Sequence, residues 1–332
     1  MPDHTVYGDI SPRTAAFAVK ELLERASAHL VLEKFGQSKP LPERSSKTMK
    51  FRRYDALDSK PKTLTEGVTP SGKSIDYTDV TLTLEQVGDW VGITDVIQDT
   101  HEDPVLNEMT DVISEQAAEM VERVRFGELK SGTNVMYAGG ESARGDVKDV
   151  ISLNLQRKAV KALKAQNARK ITSVVRSTAA YGTVNVAPAY IAVCHPDLQG
   201  DIENLPGFKP AEDYGSLSPY ENEIGKVGEV RYLTSTIFEP WEDEGGDPDT
   251  NGVISTSGSS ADVYSILVFG ANAYGIVALK GKFAVTPMVH NPQVSDSDKM
   301  AQRGHVAWKS MQGAVILNNN WMVRMEVAAT DW

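Results

Sequence analysis

A chain of 332 residues, 41% hydrophobic and 24% charged, is long enough for a sizeable core in two subdomains and has the composition of an ordinary globular protein. Its formal charge of −11 excludes a protein whose main work is gripping DNA by its phosphates, which requires a basic footprint. The single cysteine, Cys194, excludes an intrachain disulfide and a cysteine-rich zinc site, and no apolar run reaches the roughly 18–20 residues of a bilayer span. The opening decapeptide MPDHTVYGDI lacks the apolar centre of a signal peptide, so the expectation is a soluble protein of the cytoplasm.

Ser11 and Pro12 open a helical pattern as N-cap and first helical residue. Phe17, Val19, Leu22, Leu23, Ala26, Leu30 and Val31 follow at helical spacing, and Gly36 stands where the helix should stop. After a break at Lys39 to Pro42 comes a long arm. Lys47 to Tyr54 alternates, with Met49 and Phe51 on one face and Lys50 and Arg52 on the other, the period-two signature of a half-buried strand. A tip rich in Pro, Gly, Ser and Lys runs from Asp55 to about Ser74. The chain returns through YTDVTLTLEQVGDWVGITDVI, with Val80, Leu82 and Leu84 on one face and a slip of phase near Gly88 before Trp90. Two-stranded hairpins are marginal in water, and an unpaired edge invites another chain, so an arm with an apolar side is expected to seek a neighbouring subunit.

Asp103 before Pro104 starts the next helix, whose stripe is Val105, Met109, Val112, Ile113, Met120, Val121 and Val124, with Gly132 as its stop. Its length of about 25 residues, roughly 38 Å, suits a spine lying across a sheet. Core packing accounts for its methionines better than a metal or cofactor does. A Gly-rich loop follows. Ser152 or Asn154 then caps a second helix to about Ala168, with Leu155, Ala159, Ala162 and Leu163 inward. The other face carries Arg157, Lys158, Lys161 and Lys164, with Arg169 and Lys170 just beyond. Such a face reads as solvated, with nucleic acid or a neighbour's acidic surface as the alternatives.

From Ala189 the chain alternates strands and turns. AYIAVCHP reads as a buried strand with a short helix starting at Asp197. GKVGEVRYLTST, DVYSILVFGANAYGIVAL, HVAWKSMQGAVIL and WMVRMEVA each read as a strand. The acidic, Gly-rich stretch from Glu239 to Ser260 reads as an exposed loop too polar to bury. The count predicts an α+β fold in which strands from both ends of the sequence share a sheet. No internal repeat of 20–50 residues is visible.

Gly67 to Ser74, GVTPSGKS, matches the phosphate-binding pattern G-x-x-x-x-G-K-[ST] letter for letter. That motif works between a buried strand and a helix N-terminus. Here KPKTLTE precedes it and a strand pattern follows, so the residues read as a turn-forming arm tip, with a nucleotide-binding protein as the remote alternative. DPDTNG (Asp247 to Gly252) copies half a calcium loop, but position twelve is Gly258, where a bidentate glutamate is required. Six histidines show no metal spacing, and Cys194 and His195 point to opposite faces of their strand. No catalytic constellation is present. The expectation is no enzymatic activity, no metal and no cofactor.

The ordered blocks PLPERSSKTMKFRRYDAL, LTEGVTPSG, VGDWVGITDVIQDTHEDPVL, GTNVMYAGG, PAYIAVCHPDL, ENEIGKVGEVRYLTS, VYSILVFGANAYGIVAL and GAVILNNNWMVRMEV together resemble the major capsid proteins of tailed phages, in the family typified by coliphage N-four. The resemblance runs from about Ser11 to Val327. It implies a Hong Kong 97-type viral capsid fold with an extended β-hairpin arm, a long spine helix, and peripheral and axial domains. In this sequence it divides residues 1–46 (N-terminal arm with helix), 47–92 (extended loop), 93–150 (peripheral domain with spine helix), 151–280 (axial domain with the acidic loop 239–260) and 281–332 (peripheral domain, C-terminal strands). Intersubunit contact then falls to Met49, Phe51, Arg52, Arg53, Tyr54, Val80, Leu82, Leu84 and Trp90. The spine-helix core falls to Val105, Met109, Val112, Ile113, Met120 and Val121.

The resemblance further implies self-assembly into pentamers and hexamers of an icosahedral shell enclosing double-stranded DNA. Portal and scaffolding proteins, and in some relatives a decoration protein, would be partners. DNA would be contacted non-specifically, no membrane is involved, and the place would be the virion capsid, assembled in the host cytoplasm. A nanocompartment shell of the same fold is the nearer alternative. The acidic stretch Glu239 to Ser260 departs from the family as an insertion, and the start directly at the arm predicts scaffolding supplied from elsewhere.

Overall fold

The computed structural model of the chain describes residues 30–41, 46–95, 105–175, 183–214, 219–248, 252–278, 286–290 and 292–332, apart from 59, 62, 65, 70, 71 and 295–297. Most of the helix expected from Ser11 to Gly36, and the Asp103–Pro104 cap, lie outside those residues. Within them the N-terminal segment makes one 3-10 turn at Leu32–Lys34 and then β1 (Gln37–Ser38).

Two strands form the expected arm: β2 (Thr48–Tyr54) pairs antiparallel with β3 (Tyr77–Thr83), placing Phe51 opposite Val80 and Tyr54 opposite Tyr77. The return strand is not continuous. It breaks at Leu84, fully buried, whose N–H donates to the Lys47 carbonyl at 2.9 Å. Beyond that joint β4 (Glu85–Thr94) leaves the hairpin for a second sheet, so the slip of phase near Gly88 marks a change of partner.

That second sheet is built on β14 (Arg303–Ile316), whose residues 303–312 pair with β4. Along its other edge β13 (Thr286–His290) and β12 (Tyr274–Ala278) lie end to end, and β1 runs parallel to β12. Strands from both ends of the sequence therefore share this sheet. An eight-stranded sheet holds the rest. Its order is β5 (Val135–Tyr137), β15 (Met322–Val327), β11 (Tyr264–Phe269), β7 (Thr183–Cys194), β10 (Val230–Thr234), β9 (Glu223–Val227) and β8 (Phe208–Pro210), with β6 (Ile171–Val175) added on β7.

Two stretches that read as single strands are hairpin-like breaks. GKVGEVRYLTST is β9 and β10 joined at Gly228, whose φ of 59° glycine adopts without strain. DVYSILVFGANAYGIVAL turns at Asn272, φ 60°, and its halves β11 and β12 enter different sheets. β12 and β15 thus cross the boundary that the sequence draws at residue 280.

Helix α1 (Val105–Lys130) spans 26 residues and bridges both sheets. Ile113 and Ala117 pack with Val306 and Trp308 of β14, whereas Phe126 and Leu129 join Ile191, Val193, Leu267 and Phe269 of the eight-stranded sheet. On the opposite face of that sheet lies α2 (Leu153–Ala165), capped by Ser152, whose Oγ accepts from Leu155 N at 3.2 Å. Leu155, Ala159 and Leu163 are its buried stripe, at the expected helical spacing, while Ala162 is half-buried.

The acidic stretch is more ordered than its composition predicts. Trp241 pairs with Val263 through a β-bridge, Gly245 N–H donates to Ala261 O, and Ala261, Asp262 and Val263 are buried. Asp243 and the adjoining Asp262 are satisfied locally, while Glu239 and Glu244 pair with Arg123 and Arg144. Asp262 accepts from Asp243 N–H and Thr256 Oγ at 2.8 Å each, and Asp243 accepts from Ser257 N–H at 2.9 Å. Trp241 is stacked between the Lys130 ammonium and the Arg144 guanidinium, 3.7 and 3.6 Å from its ring centre.

Candidate functional site

The hairpin has two chemically distinct parts. Its inner face, Met49, Phe51, Val80 and Leu82, packs with Leu84 onto Leu41, Val277, Met311, Val315 and Leu317 of the same chain. Gly275 and Gly313 make room for it, because a Cβ on either would press into the Phe51 ring or the Leu82 methyl. Of the residues expected at a subunit contact, Phe51, Leu82 and Leu84 are therefore buried against the chain's own sheet, and Met49 and Val80 pack against it half-buried. Trp90 sits on β4 opposite Ala307, away from the hairpin, and is 66% exposed.

The outer face and tip stay open. Arg52 forms a two-pronged pair with Asp79, Nε to Oδ1 at 2.8 Å and Nη2 to Oδ2 at 2.9 Å, and its guanidinium lies 4.1 Å from the Tyr77 ring centre. The hydrogen bond to Asp79 holds the Arg52 pKa above its usual value and draws the Asp79 carboxyl below the carboxylate range. Tyr54 and Tyr77 close this face, and every described residue from 55 to 76 is exposed, including Leu57, Leu64, Val68 and Ile75. Exposed apolar side chains at the end of an arm make it a candidate contact surface.

At the tip, the phosphate-loop spelling has none of its working parts. No helix follows it; residues 72–76 are irregular and lead into β3. The Lys73 ammonium donates to the Asp58 carbonyl at 3.0 Å across the tip, which is turn closure.

On α1 the residues divide by face. Ile113 and Val121 are buried, and Met109 and Met120 pack half-buried against the Trp308 cluster. Val112 is 63% exposed and Val124 38%, so Val112 leaves the expected core set, and Val124 the expected stripe, for the back of the helix. The side chain of Val105 lies outside the described residues. Sequence periodicity missed a buried carboxylate on the same helix. Glu122 Oε1 accepts from the N–H groups of Val31 and Leu32 at 3.0 and 2.7 Å, tying the N-terminal segment to the helix. Burial pushes its carboxyl up to about 7. Arg125 beside it donates to Gln312 Oε1 at 2.8 Å and pairs with Glu33 at 3.3 Å.

Among the described residues no reaction centre accompanies these features. Cys194 and His195 do point apart: the buried thiol, its pKa raised to about 12 by burial, faces Leu233 O, whereas His195 Nδ1 lies 3.0 Å from Asp197 Oδ2. Asp197 also accepts from the Tyr264 hydroxyl at 2.7 Å, and burial lowers the His195 pKa. That trio joins the end of β7, β11 and a 3-10 turn. Among the described residues no group of three or more His, Cys, Asp or Glu gathers as a metal site, and no helix is long and apolar enough to cross a membrane. In the half calcium loop, residues 249–251 lie outside the described residues. What the described residues do present is open surface at the arm tip.

Comparison with known proteins agrees. The family described as phage capsid protein matches residues 77–322. No curated protein matches the chain. The capsid of Ralstonia phage GP4 superposes with a TM-score of 0.64 at 12% identity, covering 100% of this chain and 99% of that one. The cyanophage Pam1 capsid gives 0.60 at 12% identity over 87% of each chain. A virus-like particle from Pyrococcus furiosus gives 0.50 at 11% identity over 94% of this chain and 99% of that one. The architecture is thus a mixed α+β fold that resembles the Hong Kong 97-type capsid architecture.

Proposed function

The chain belongs to the phage capsid protein family, and from that premise we propose that it is the major subunit of a tailed phage's icosahedral shell, assembling into pentamers and hexamers around double-stranded DNA. The observation that carries this reading is the hairpin: a base held by its own sheet and a tip, residues 55–76, with every described side chain exposed. Such a tip adds nothing to the core of its own subunit and suits contact with the next. In this reading residues 47–92 are the extended loop, α1 the spine, 151–280 largely the axial domain, and the segments 93–150 and 281–332 the peripheral domain. The contact passes from the hairpin's inner face to Arg52, Arg53, Tyr54 and the tip, with Trp90 as a further contact on β4.

Contacts that are weak singly gain strength when repeated around a ring and across a shell. The charge of −11 fits a wall that encloses DNA without holding it. Portal and scaffolding proteins, and a decoration protein, are the partners this role calls for, with assembly in the host cytoplasm. Deleting residues 55–74 is the test. A folded monomer whose particles form poorly is expected; particles of normal yield and thermal stability would refute the arm's role. Particles filled with protein cargo in place of DNA would favour a nanocompartment shell.

A further inference from the structure

A groove of about 560 Å³ opens between α2 and the turn at Val227–Glu229, lined by Arg157, Lys161 and Lys164 above Leu153 and Val160. Lys164 is already paired with Glu229 at 2.7 Å, but Arg157 and Lys161 are exposed and have no carboxylate partner among the described residues. Behind them stands a buried acceptor. Gln156, which also lines the groove, is 3% exposed; its Nε2 donates to Val227 O at 2.8 Å, and its Oε1 has no hydrogen-bond partner among the described residues. An occupant that satisfies this site brings carboxylates for the two cations, as an acidic stretch of polypeptide does.

Such a stretch exists on the same molecule, at the wrong end to be used internally. Glu229 precedes β10, at the end of the sheet where Val230 pairs with Tyr190. The acidic segment follows β10 beyond Thr234, where that strand ends beside Cys194. Five residues of strand, about 17 Å, separate the two ends. The segment is pinned there by Trp241 and Gly245, and Glu242 is exposed and has no ion-pair partner among the described residues. Opposite charges at opposite ends of one sheet suit a head-to-tail contact, and head-to-tail contacts form rings where the rotation between copies closes.

We infer that the groove between α2 and the β9–β10 turn takes the acidic segment around Glu242 of a second copy of this chain. This rests on the shell reading, and it supplies that reading with a specific contact inside the capsomer. Two measurements test it. Lys161→Cys and Glu242→Cys chains, mixed and treated with a short bismaleimide during assembly, should give a covalent dimer that neither chain gives alone; native Cys194 is buried and stays out of the reaction. Lys161→Glu and Glu242→Lys should each raise the subunit concentration needed for assembly about tenfold, and the double variant should recover most of that loss. Both substitutions are on exposed side chains, and melting curves equal to wild type establish that they fold.

Shells that form without the mixed crosslink, with charge reversals that change nothing, would overturn the groove's role and leave the shell reading standing. A wild-type chain that forms no shell under any condition, alone or with its neighbouring gene products, would remove the shell reading itself. Lys161→Glu shells that assemble normally and lose DNA would assign the groove to nucleic acid and overturn the inference.

Discussion

The ring of Phe51 lies so close to Gly275 that a Cβ built at that glycine would stand 2.9 Å from its Cζ. This contact fixes the base of the hairpin to β12. Replacing Phe51 by Ala removes a buried aromatic, and a loss of about 3 kcal/mol is expected in docking the hairpin. Gly275→Val should act from the other side. Because the hairpin is a peripheral unit, the loss should appear as local opening: faster amide exchange in β2 and β3, with the main melting transition nearly unmoved. A melting transition that falls by the full amount would show that hairpin and body unfold as one.

Glu122 gives a pH dependence with a definite sign. Its folded pKa of about 7 lies above the ordinary value of 4.5, because burial disfavours the charged form. Between those values the folded state binds more protons than the unfolded one, so stability is greatest below pH 4.5 for this group and falls as pH rises through 7. The loss amounts to about 3 kcal/mol at most. Glu122→Gln should flatten that slope in denaturant titrations at pH 5 and pH 8. An unchanged slope would mean that Glu122 ionises in the fold at its ordinary value.

The thiol of Cys194 should resist alkylation at pH 8 until the protein unfolds, since it is fully buried and burial raises its pKa to about 12. Mass spectrometry after brief exposure to iodoacetamide reads this directly. Labelling at the rate of a free thiol would refute the packing of β7 against β10.

At the tip, Lys73→Ala should leave ATP binding undetectable, as in the wild type. Stability should change by no more than about 0.5 kcal/mol, because the lysine closes a turn through the Asp58 carbonyl on an exposed loop. Micromolar ATP affinity lost on that substitution would reinstate the nucleotide-loop reading.

These expectations also show where the sequence is readable. Alternation at Met49, Phe51, Leu82 and Leu84 told which face is apolar, but a period of two carries no information about what covers it. The answer lay far along the chain in Gly275 and Gly313, glycines in strands whose only visible sign is a missing side chain. α1 was legible in extent, but 3.6-residue periodicity left Val112 and Val124 at the margin of the stripe, and the real helix turns them outward. Gly228 and Asn272 each hide a turn inside an apolar run, since a positive φ is a backbone state that hydrophobic pattern does not register. The acidic segment misled by composition. Its serines and threonines cap its own carboxylates, and Trp241 binds it to Lys130 and Arg144. For the candidate contact surfaces, the charged face of α2 was visible from its spacing. The unpaired acceptor of Gln156 was not, because it depends on which oxygen the fold leaves unused.

The hairpin's division into a packed base and a bare tip makes it a cantilever. A strand pair clamped at one end transmits a sideways load as torque to its root, and that root is two aromatic-or-leucine-on-glycine seats, Phe51 on Gly275 and Leu82 on Gly313. Pressure from inside a shell would therefore be felt at β12 and β14 before it reached the eight-stranded sheet. The first part to yield would be those seats.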